Sequence, residues 1–547
     1  MNTSELLLLA AKAGVKFWLD GDRLAYRAPN KAMTPELRKE VIRHKADLIA
    51  ILRKNQLDAV TPIARVPLDE KNGSPLTSAQ ERLWLVANRI GPSPVHNVHF
   101  RLLWKGILDR ELLAQSIADI IARHAALRTT FTEIDGAPRA LISSEIAVDH
   151  VHVDLRDQGP AAKASAVDSF ILDHQRTPFD LKEGPLMRTA VITLDNDDHI
   201  ILVTQHHIIT DGWSVGIFLE ELGRHYRAHY LGHEAPLPEL PVRYSDYAHW
   251  QQEHRAQRPY QERLAWWKEH LSGLSPLELP GARDTYEGVL DYSGTTQDFS
   301  VDSALASGLK DLAREQHCTI YTVLLTAWVI LLHRYANQSA FAVGTVTSGR
   351  DQVELDRLIG YFTNIVVLRC DLSGNPSAVD AIARLRAETE SAFGHEVQYG
   401  DVVLTGEAVR KTSLNPFVKV VFVFENIPIP DILNPEEIPG FTANVMLDPR
   451  VDGSAQGTTK FDLTLYMQES RDGIRGCVKY AHSQFEATAF ERVGEHFANL
   501  LQSIVRDPYE KVGKLELMSK QEREKVLGGW DDAKFLDDWN EAESFGL

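Results

Sequence analysis

Two adjacent histidines, His206 and His207, begin a short polar segment that ends in Asp211 and Gly212. An imidazole has an ordinary pKa near neutrality, so either ring is a candidate general base. Asp211 is expected to fix the loop through hydrogen bonds or an ion pair, and Gly212 to permit a backbone geometry that other residues resist. The spacing therefore predicts proton-transfer catalysis, with His207 as the first candidate.

Two other interpretations of the histidine pair stay open on this segment alone. Adjacent residues on a strand point their side chains to opposite faces, and the chain has no carboxylate-rich partner segment, so no metal site is predicted. The pair could also consist of core histidines whose hydrogen bonds are satisfied inside the protein.

The elements around the pair favour the catalytic interpretation. A predicted strand, His199–Gln205, precedes it and a predicted helix, Ser214–Tyr230, follows it. Loops of this kind present functional side chains from a rigid scaffold. The other predicted strands are Phe341–Val346, Ile365–Arg369 and Phe417–Phe424, and the other predicted helices are Leu112–His124, Tyr321–Tyr335 and Ala487–Ile504. The mixture predicts an α/β (α+β) fold of two lobes that join near residues 240–260.

Composition divides the chain into five segments: a small domain at 1–55, a linker at 56–74, a first lobe at 75–245, a second lobe at 246–515 and an acidic tail at 516–547. The small domain is predicted to form a helix at 3–13, a hairpin at Val15–Arg27 and a helix that Thr34 and Pro35 begin. A domain of about 55 residues is only marginally stable by itself, so the sequence predicts that it binds a partner or forms a dimer. The tail is interpreted as a disordered end or, through residues 535–539, as a docking segment.

The charge of the chain excludes one class of partner and indicates another. The formal net charge is −18, and phosphate repulsion argues against nucleic-acid binding. Residues 1–55 carry +5, however, while the rest carries −23. A basic domain on an acidic body predicts an acidic partner for that domain, with an ordinary solvated surface as the alternative.

No membrane segment or secretion signal is predicted. Lys12 ends the N-terminal apolar run, and the apolar stretch from Val323 to Leu332 is too short to cross a bilayer, so it is predicted to be a core helix. The three cysteines have no metal or disulfide spacing. These features predict a cytoplasmic protein.

Further segments, together with the histidine loop, resemble in order the signature motifs of condensation domains of nonribosomal peptide synthetases. The matching segments are Leu76–Trp84, Arg123–Phe131, His206–Ser214, Tyr244–Gln251, Ile359–Asn364 with Arg369, and Arg410–Phe417. One further signature, usually a histidine before an acidic Pro-Phe segment, is altered here to His395–Tyr399. The departure affects the expected detail of the substrate channel rather than the family.

The resemblance implies a fold and a reaction. The family fold is two lobes similar to chloramphenicol acetyltransferase, arranged as a V around a central tunnel. Donor and acceptor carrier proteins insert phosphopantetheine arms from opposite ends, and the acceptor's amine or hydroxyl attacks the donor thioester. No bound cofactor and no metal are implied.

The resemblance also implies roles for individual residues. His207 is the base or positioning residue. His206 is also counted among the candidate catalytic residues, and its loss is expected to act through packing. Asp211 pairs with an arginine, for which Arg128 and Arg350 are the candidates, and the backbone around Gly212 supports the oxyanion. The residues expected to line the tunnel are Trp213, Ser214, Tyr361 and Asn364.

Residues 1–55 resemble a second family, the β-hairpin docking domains of synthetase subunits. Such domains capture a short, often acidic, C-terminal segment of an upstream subunit. The expected contact residues are Lys16, Arg23, Tyr26, Arg27 and Arg43.

Several rivals are weighed against this interpretation. A heterocyclisation domain would replace the histidines by a DxxxxD pattern, a plant-type acyltransferase would need a DFGWG-like segment, and the opening at Ser78–Arg82 looks less like an epimerisation domain. A non-catalytic module that recruits carrier proteins and a freestanding acyltransferase with a soluble acceptor stay open. The sequence leaves open the donor, the acceptor, and whether the product is an amide or an ester.

Overall fold

A computed structural model describes residues 6, 10, 15–20, 23–27, 33–45, 48–49, 62–69, 71–233, 235, 237–283, 292–405, 418–425, 442–446, 457–470, 472–486 and 488–528. The chain divides into two compact units. One contains residues 1–63 with 257–259, and the other contains residues 64–256 with 260–547.

The small unit is built on an antiparallel hairpin of β1 (Lys16–Asp20) and β2 (Arg23–Arg27), followed by helix α1 (Pro35–Arg43). Thr34 caps α1, since its hydroxyl accepts from the Leu37 N–H at 3.2 Å, as the sequence predicts. Among the described residues of this unit, the buried core side chains are Leu6, Ala10, Val15, Leu37, Val41 and Leu48. The predicted helix at 3–13 lies outside the described residues, apart from Leu6 and Ala10, which are both helical.

The larger unit begins with alternating helices and strands. The helices are α2 (Ser78–Ile90), α3 (Arg110–Arg123), α4 (Pro160–Arg176), α5 (Gly212–Leu231) and α6 (Tyr244–Arg255). The strands are β3 (Asn97–Lys105), β4 (Thr129–Ile134), β5 (Ala137–Ile142), β6 (His150–Asp154), β7 (Met187–Asp195) and β8 (Asp198–His206). Strands β4 and β5 form a two-stranded sheet, while β3, β8, β7 and β6 are neighbours in a second sheet.

The second half of the larger unit carries a six-stranded sheet in the order β11-β10-β12-β14-β15-β9. Its strands are β9 (Gly294–Asp302), β10 (Ala340–Thr347), β11 (Asn364–Asp371), β12 (Val420–Glu425), β14 (Leu463–Ser470) and β15 (Gly473–Ala481). The helices are α7 (Arg258–His270), α8 (Ser303–Glu315), α9 (Ile320–Ala336), α10 (Ala378–Gly394), α11 (Tyr399–Thr405), α12 (Val493–Arg506) and α13 (Lys520–Gly528). The apolar stretch 323–332 is buried inside α9, which confirms it as a core helix.

One strand crosses between the two halves. Strand β13 (Thr442–Met446) pairs antiparallel with β3 and completes a five-stranded sheet in the order β13-β3-β8-β7-β6. The predicted second lobe therefore supplies an edge strand to the sheet of the first. A boundary at residues 245 and 246 separates the lobes along the chain but not in space.

The tail also differs from its prediction. Residues 520–528 form α13, and its Glu522 is buried with a carboxylate oxygen 2.9 Å from Nε2 of His496 on α12. The start of the predicted tail thus belongs to the packed unit, because a buried carboxylate with a bonded partner fixes it there. Residues 529–547 lie outside the described range. Helix α12 begins at Val493 rather than 487, after a series of turns.

No single helix in the described parts of the chain has both the length and the apolar character that a membrane crossing requires. Helices α8 and α9 are long and apolar enough for a membrane crossing only when they are taken together, and the angle between them is 104°. The three cysteines, Cys318, Cys370 and Cys477, form no disulfide bonds.

Candidate active site

His207 follows the last residue of β8 and begins a single 3-10 turn, 207–209, before α5. Its Nδ1 lies 2.8 Å from the carbonyl oxygen of Thr210. A carbonyl oxygen can only accept a hydrogen bond, so Nδ1 carries the proton and Nε2 keeps its lone pair. The loop thereby selects the tautomer whose Nε2 can accept a proton.

The surroundings of His207 keep its ring neutral. The ring is half-buried and contacts the edge of Tyr361, with 4.7 Å between ring centroids. Burial and then the positive charge of Lys460 lower the pKa of His207 to about 3, against the opposing effects of the Thr210 carbonyl and Asp211. At neutral pH the side chain is therefore an uncharged acceptor.

His206 lies in a buried, mainly aromatic environment. Its Nδ1 accepts from the N–H of Ile208 at 3.1 Å, and its ring packs edge-on against His96 and Phe179 at 5.9 and 6.4 Å. Burial, followed by the neighbouring His207, lowers the pKa of His206 to about 3. These contacts are those of a packing residue, in line with its expected role.

Asp211 is completely buried and uses both carboxylate oxygens within the protein. Oδ1 accepts from the Ser214 N–H at 2.8 Å, so Asp211 caps α5. Oδ2 accepts from the N–H of Phe362 at 2.9 Å and of Thr363 at 3.3 Å. The Arg350 guanidinium lies 3.4 Å from Oδ1. Asp211 therefore joins the histidine loop to the distant segment 359–364.

Arg350 is the arginine that pairs with Asp211. Its guanidinium also donates to the Ser214 hydroxyl at 2.9 Å and to the Leu358 carbonyl at 2.8 Å, and it stacks 4.0 Å above the Phe362 ring centroid. Arg128, the other candidate, donates instead to backbone carbonyls of Ile121, Ala122, Ser143 and Ser144. Arg128 is thus the wrong candidate, because its donors hold the neighbouring backbone together.

Two of the four residues predicted to line the tunnel, Ser214 and Asn364, are buried and hydrogen-bonded within the protein. Ser214 is completely buried, and its hydroxyl accepts from the Gly360 N–H and donates to the Gly360 carbonyl. Asn364 is also buried and bonds to Glu396, the Val397 carbonyl and the Tyr399 N–H. Both side chains use their hydrogen-bonding capacity inside the protein and so act as structural links.

The other two, Tyr361 and Trp213, lie next to the histidine loop. Tyr361 is buried but turns its ring to His207, and its hydroxyl accepts from Arg82 at 3.1 Å. Trp213 is 40% exposed, and its indole N–H donates to the Asp356 carbonyl at 3.1 Å.

The expectation that Gly212 has a backbone geometry that other residues resist is wrong. Gly212 is the first residue of helix α5, and its φ is not in the left-handed region.

The signature segments meet around the histidine loop. Gln80, from the first segment, donates from Nε2 to the Ile208 carbonyl at 3.0 Å. Tyr244, from the fourth, donates to the Tyr361 carbonyl in the fifth. His124, from the second, accepts on Nδ1 from the Ile359 N–H at 3.3 Å. The first segment therefore bonds to the loop itself, and the second and fourth bond to the fifth, whose N–H groups hold Asp211. Segment 410–417 lies outside the described residues.

Comparison with known proteins agrees with this arrangement. Residues 70–527 match the family model described as Condensation domain, and residues 4–54 match the TubC N-terminal docking domain. The chain belongs to the condensation domains of nonribosomal peptide synthetases. It is therefore an acyltransferase domain preceded by a segment that matches an N-terminal docking domain.

The relatives of this condensation domain are much longer proteins. It is 32% identical over 467 residues to chondramide synthase cmdD of Chondromyces crocatus, covering 85% of this chain and 12% of that protein. It is 32% identical over 489 residues to phosphinothricin tripeptide synthetase PhsB of Streptomyces viridochromogenes, covering 89% of this chain and 40% of the relative. The chain thus spans well under half the length of these relatives.

Solved structures share its fold. The X-domain from teicoplanin biosynthesis has a TM-score of 0.73 at 22% identity, and covers 84% of this chain and 100% of its own. The first condensation domain of the CDA synthetase has a TM-score of 0.66 at 18% identity, with 82% and 100% covered. Mixed α/β architecture similar to chloramphenicol acetyltransferase is thereby confirmed.

The structure adds residues to the condensation site that the sequence did not single out. Lys460, which precedes β14, lowers the pKa of His207, His206 and His96 through its positive charge. His96 is buried beside His206 and packs near Tyr292, with 6.5 Å between ring centroids. His96 and Lys460 lie far from the histidine motif in the sequence, and no local sequence pattern marks them. Their proximity to the motif is visible only in the folded structure.

The altered signature at 395–399 forms a buried polar cluster. Glu396 accepts from the Thr347 hydroxyl at 2.5 Å and from Asn364 at 2.9 Å. Burial, then the charge of Asp351, raises the pKa of Glu396 to about 7. Near neutral pH this carboxyl group is therefore only partly charged, and it links the altered signature at 395–399 to Asn364 of the fifth segment.

Two of the five predicted docking residues have described side chains. Tyr26 on β2 is 47% exposed, and the Arg43 side chain is 70% exposed and lies 3.7 Å from Glu40. For Lys16, Arg23 and Arg27 only the hairpin backbone is described, and Lys16 is the cross-strand neighbour of Arg27.

Proposed function

We propose that this condensation domain joins two groups held as phosphopantetheine thioesters on a donor and an acceptor carrier protein. The acceptor's amine or hydroxyl attacks the donor carbonyl, so a C–N or C–O bond forms and the C–S bond breaks. The nucleophile's proton passes to Nε2 of His207 and then to the departing thiolate sulfur. No covalent enzyme nucleophile is required, because a thioester is already activated and orientation alone can supply about 7–11 kcal/mol.

The tautomer of His207 is the observation that carries this proposal. Thr210 holds the Nδ1 proton at 2.8 Å, so Nε2 is an acceptor before any substrate arrives. Burial and the charge of Lys460 lower the pKa of His207, so the ring is uncharged when the nucleophile arrives, and a proton taken up on Nε2 is readily passed to the more basic thiolate. Such a ring both positions the nucleophile and relays its proton.

The start of α5 supports stabilisation of the oxyanion. Asp211 caps the N–H of Ser214, whereas the N–H groups of the first residues of a helix have no partner within it. Gly212 and Trp213 are the first residues of α5, directly after the catalytic loop. Backbone donors at a helix N-terminus suit a developing negative charge on the thioester oxygen.

The test is transfer between two carrier proteins, followed by intact-mass analysis of both. With an acyl group on the donor and an aminoacyl group on the acceptor, the acceptor should gain the acyl mass as the donor loses it. Binding of both carriers without transfer would indicate a recruiting module instead. Transfer to a free amine, but not to a loaded acceptor carrier, would indicate an acyltransferase that uses a soluble acceptor.

We further propose that the docking domain captures an acidic C-terminal segment of an upstream subunit. Residues 1–55 carry +5 against −23 in the rest of the chain, and Tyr26 and Arg43 are exposed on the hairpin and α1. Charge attraction would direct such a segment to this domain, and the ordering of a flexible peptide would limit its affinity to the micromolar range.

The docking proposal is tested with a donor carrier that keeps its natural C-terminal segment and one from which it has been trimmed. The intact protein should turn over the untrimmed carrier faster, and deletion of residues 1–55 should remove that preference while chemistry continues. Arg43→Glu should weaken binding at least about tenfold, while the control Lys39→Glu, also exposed on α1, should change it less. Equal turnover of both carriers by the intact protein would contradict docking.

A further inference from the structure

Three side chains that can bind metal meet on two neighbouring helices of the first lobe. His225 and His229 lie on α5, and Asp119 lies on α3. Oδ2 of Asp119 is 2.7 Å from Nε2 of His229 and 3.3 Å from Nδ1 of His225. The three ligand atoms all lie within 4.8 Å of one another. No part of the condensation reaction uses this group.

The spacing on α5 explains why the two rings face the same point. Residues four apart lie above one another on the same face of a helix. The rings of His225 and His229 are stacked, with centroids 6.3 Å apart and 27° between their planes. The carboxylate of Asp119 reaches them from α3, so the group bridges the two helices.

We propose that Asp119, His225 and His229 bind one divalent transition-metal ion, for which zinc is the test ion. Two imidazole nitrogens and one carboxylate oxygen are a donor set that zinc accepts at about 2.0–2.2 Å, which places tetrahedral ligand atoms roughly 3.3–3.5 Å apart. The present O–N distances of 2.7 and 3.3 Å need only a small outward movement of the His229 ring. Water would occupy the fourth position.

Asp119 brings a negative charge to this group, while Arg123 acts on His225 with its positive charge from outside the three ligands. In the described parts of the chain, the salt-bridge partners of Asp119 are these two histidines and no lysine or arginine. The nearby Glu221 is already bonded to His124 and Arg123, so it does not compete as a ligand. The Asp119 side chain is 39% exposed, which leaves a route for the ion to enter.

The ion would act on stability rather than on the reacting groups. His225 lies 13 residues beyond Gly212 along α5, roughly 20 Å at 1.5 Å per residue. It would tie α3 to the helix that directly follows the catalytic loop. We expect micromolar affinity, because Nε2 of His225 has no hydrogen-bond partner among the described residues, and such a partner strengthens metal binding.

The experiment uses the full chain without a purification tag, because the sequence has 21 histidines and a tag would add more. Metal-free protein is titrated with zinc, bound zinc is counted by elemental analysis, and Co²⁺ is used to report tetrahedral coordination by visible absorption. We expect one ion per chain and a higher melting temperature with zinc. His229→Gln and Asp119→Asn should each weaken binding at least about tenfold.

A matched control comes from β6, where His150 and His152 bond to Thr189 and Thr193 without a shared carboxylate. The double variant His150→Gln, His152→Gln should keep full zinc binding and the cobalt spectrum. If either site variant fails to fold, His225→Gln provides the same comparison. Equal zinc binding by the wild type and the site variants, or loss of binding in the β6 control alone, would overturn the proposal.

Discussion

At the scale of single residues, His207 and Asp211 lie four positions apart in one loop and have different roles. His207 keeps accessible surface and an Nε2 lone pair. Asp211 has no exposed surface, and both of its carboxylate oxygens already accept hydrogen bonds from the protein. The first residue can reach a substrate and the second cannot. Substitutions should therefore separate a kinetic effect from a stability effect.

His207→Ala should reduce condensation at least about 10²-fold and leave the melting temperature nearly unchanged, because it removes the proton acceptor from a half-buried position. Single-turnover transfer between loaded carriers measures the effect. The control His233→Ala changes an exposed histidine after α5 and should keep the wild-type rate. A normal rate for His207→Ala would rule out its proposed role as base.

Asp211→Ala should destabilise the protein by roughly 3–5 kcal/mol, because it leaves the Arg350 guanidinium buried without its carboxylate. Thermal unfolding measures the loss, and reduced solubility should accompany it. Asp211→Asn keeps one acceptor for the Ser214 N–H and should be less harmful. A soluble Asp211→Ala with an unchanged melting temperature and no activity would contradict the structural role.

At the scale of elements, the turn after β10 decides whether the fifth signature reaches the histidine loop. Gly349 precedes Arg350 and has a φ of +61°, a region that favours glycine. A Cβ there would stand 2.0 Å from the Phe362 carbonyl oxygen. The backbone of this turn therefore packs directly on the segment whose N–H groups bind Asp211.

Gly349→Ala should lower both the melting temperature and the condensation rate, because the turn must move away from Phe362. Gly374→Ala is a matched control, since Gly374 also has a positive φ, +78°, but an added Cβ would meet nothing within 4 Å. The control carries only backbone strain, on the order of 1–2 kcal/mol, and should keep activity. Equal loss in both variants would show that contact with Phe362 is unimportant.

At the scale of the whole molecule, buried histidines link stability to pH. Burial lowers the pKa of His174 to about 4, that of His206 to about 3 and that of His96 well below its ordinary value. In the unfolded chain each takes up a proton near pH 6.5. The folded state therefore loses stability as the pH falls from 6.5 towards 4. His207, whose pKa is about 3, adds to this loss, whereas Glu396, whose pKa is raised, acts in the opposite sense.

The melting temperature should be nearly constant above pH 7 and fall between pH 6.5 and 4.5. Each histidine contributes a slope of about 1.4 kcal/mol per pH unit in that range. Replacing His174 by glutamine should make the slope shallower, because the unfolded chain then takes up one proton fewer. A melting temperature that does not change between pH 7 and 5 would contradict this prediction.

The local features of this protein could be predicted from the amino-acid sequence. The strand, loop and helix around His207, the Thr34 cap and the buried helix α9 follow from periodicity, turn residues and capping, which act within a few residues. The order of the signature segments was enough to indicate the family. The N-terminal hairpin was predictable for the same reason, because its two strands are neighbours along the chain.

The meeting of distant groups could be seen only in the folded chain. Arg128 and Arg350 were equal candidates for Asp211, and Arg350 is its partner from 139 residues away, where sequence spacing carries no information. The same holds for strand β13, which joins the sheet of the first lobe, and for Lys460 near the histidines. Local rules fix an element, but the path of the chain fixes its neighbours, because contacts between remote segments depend on how all the elements pack.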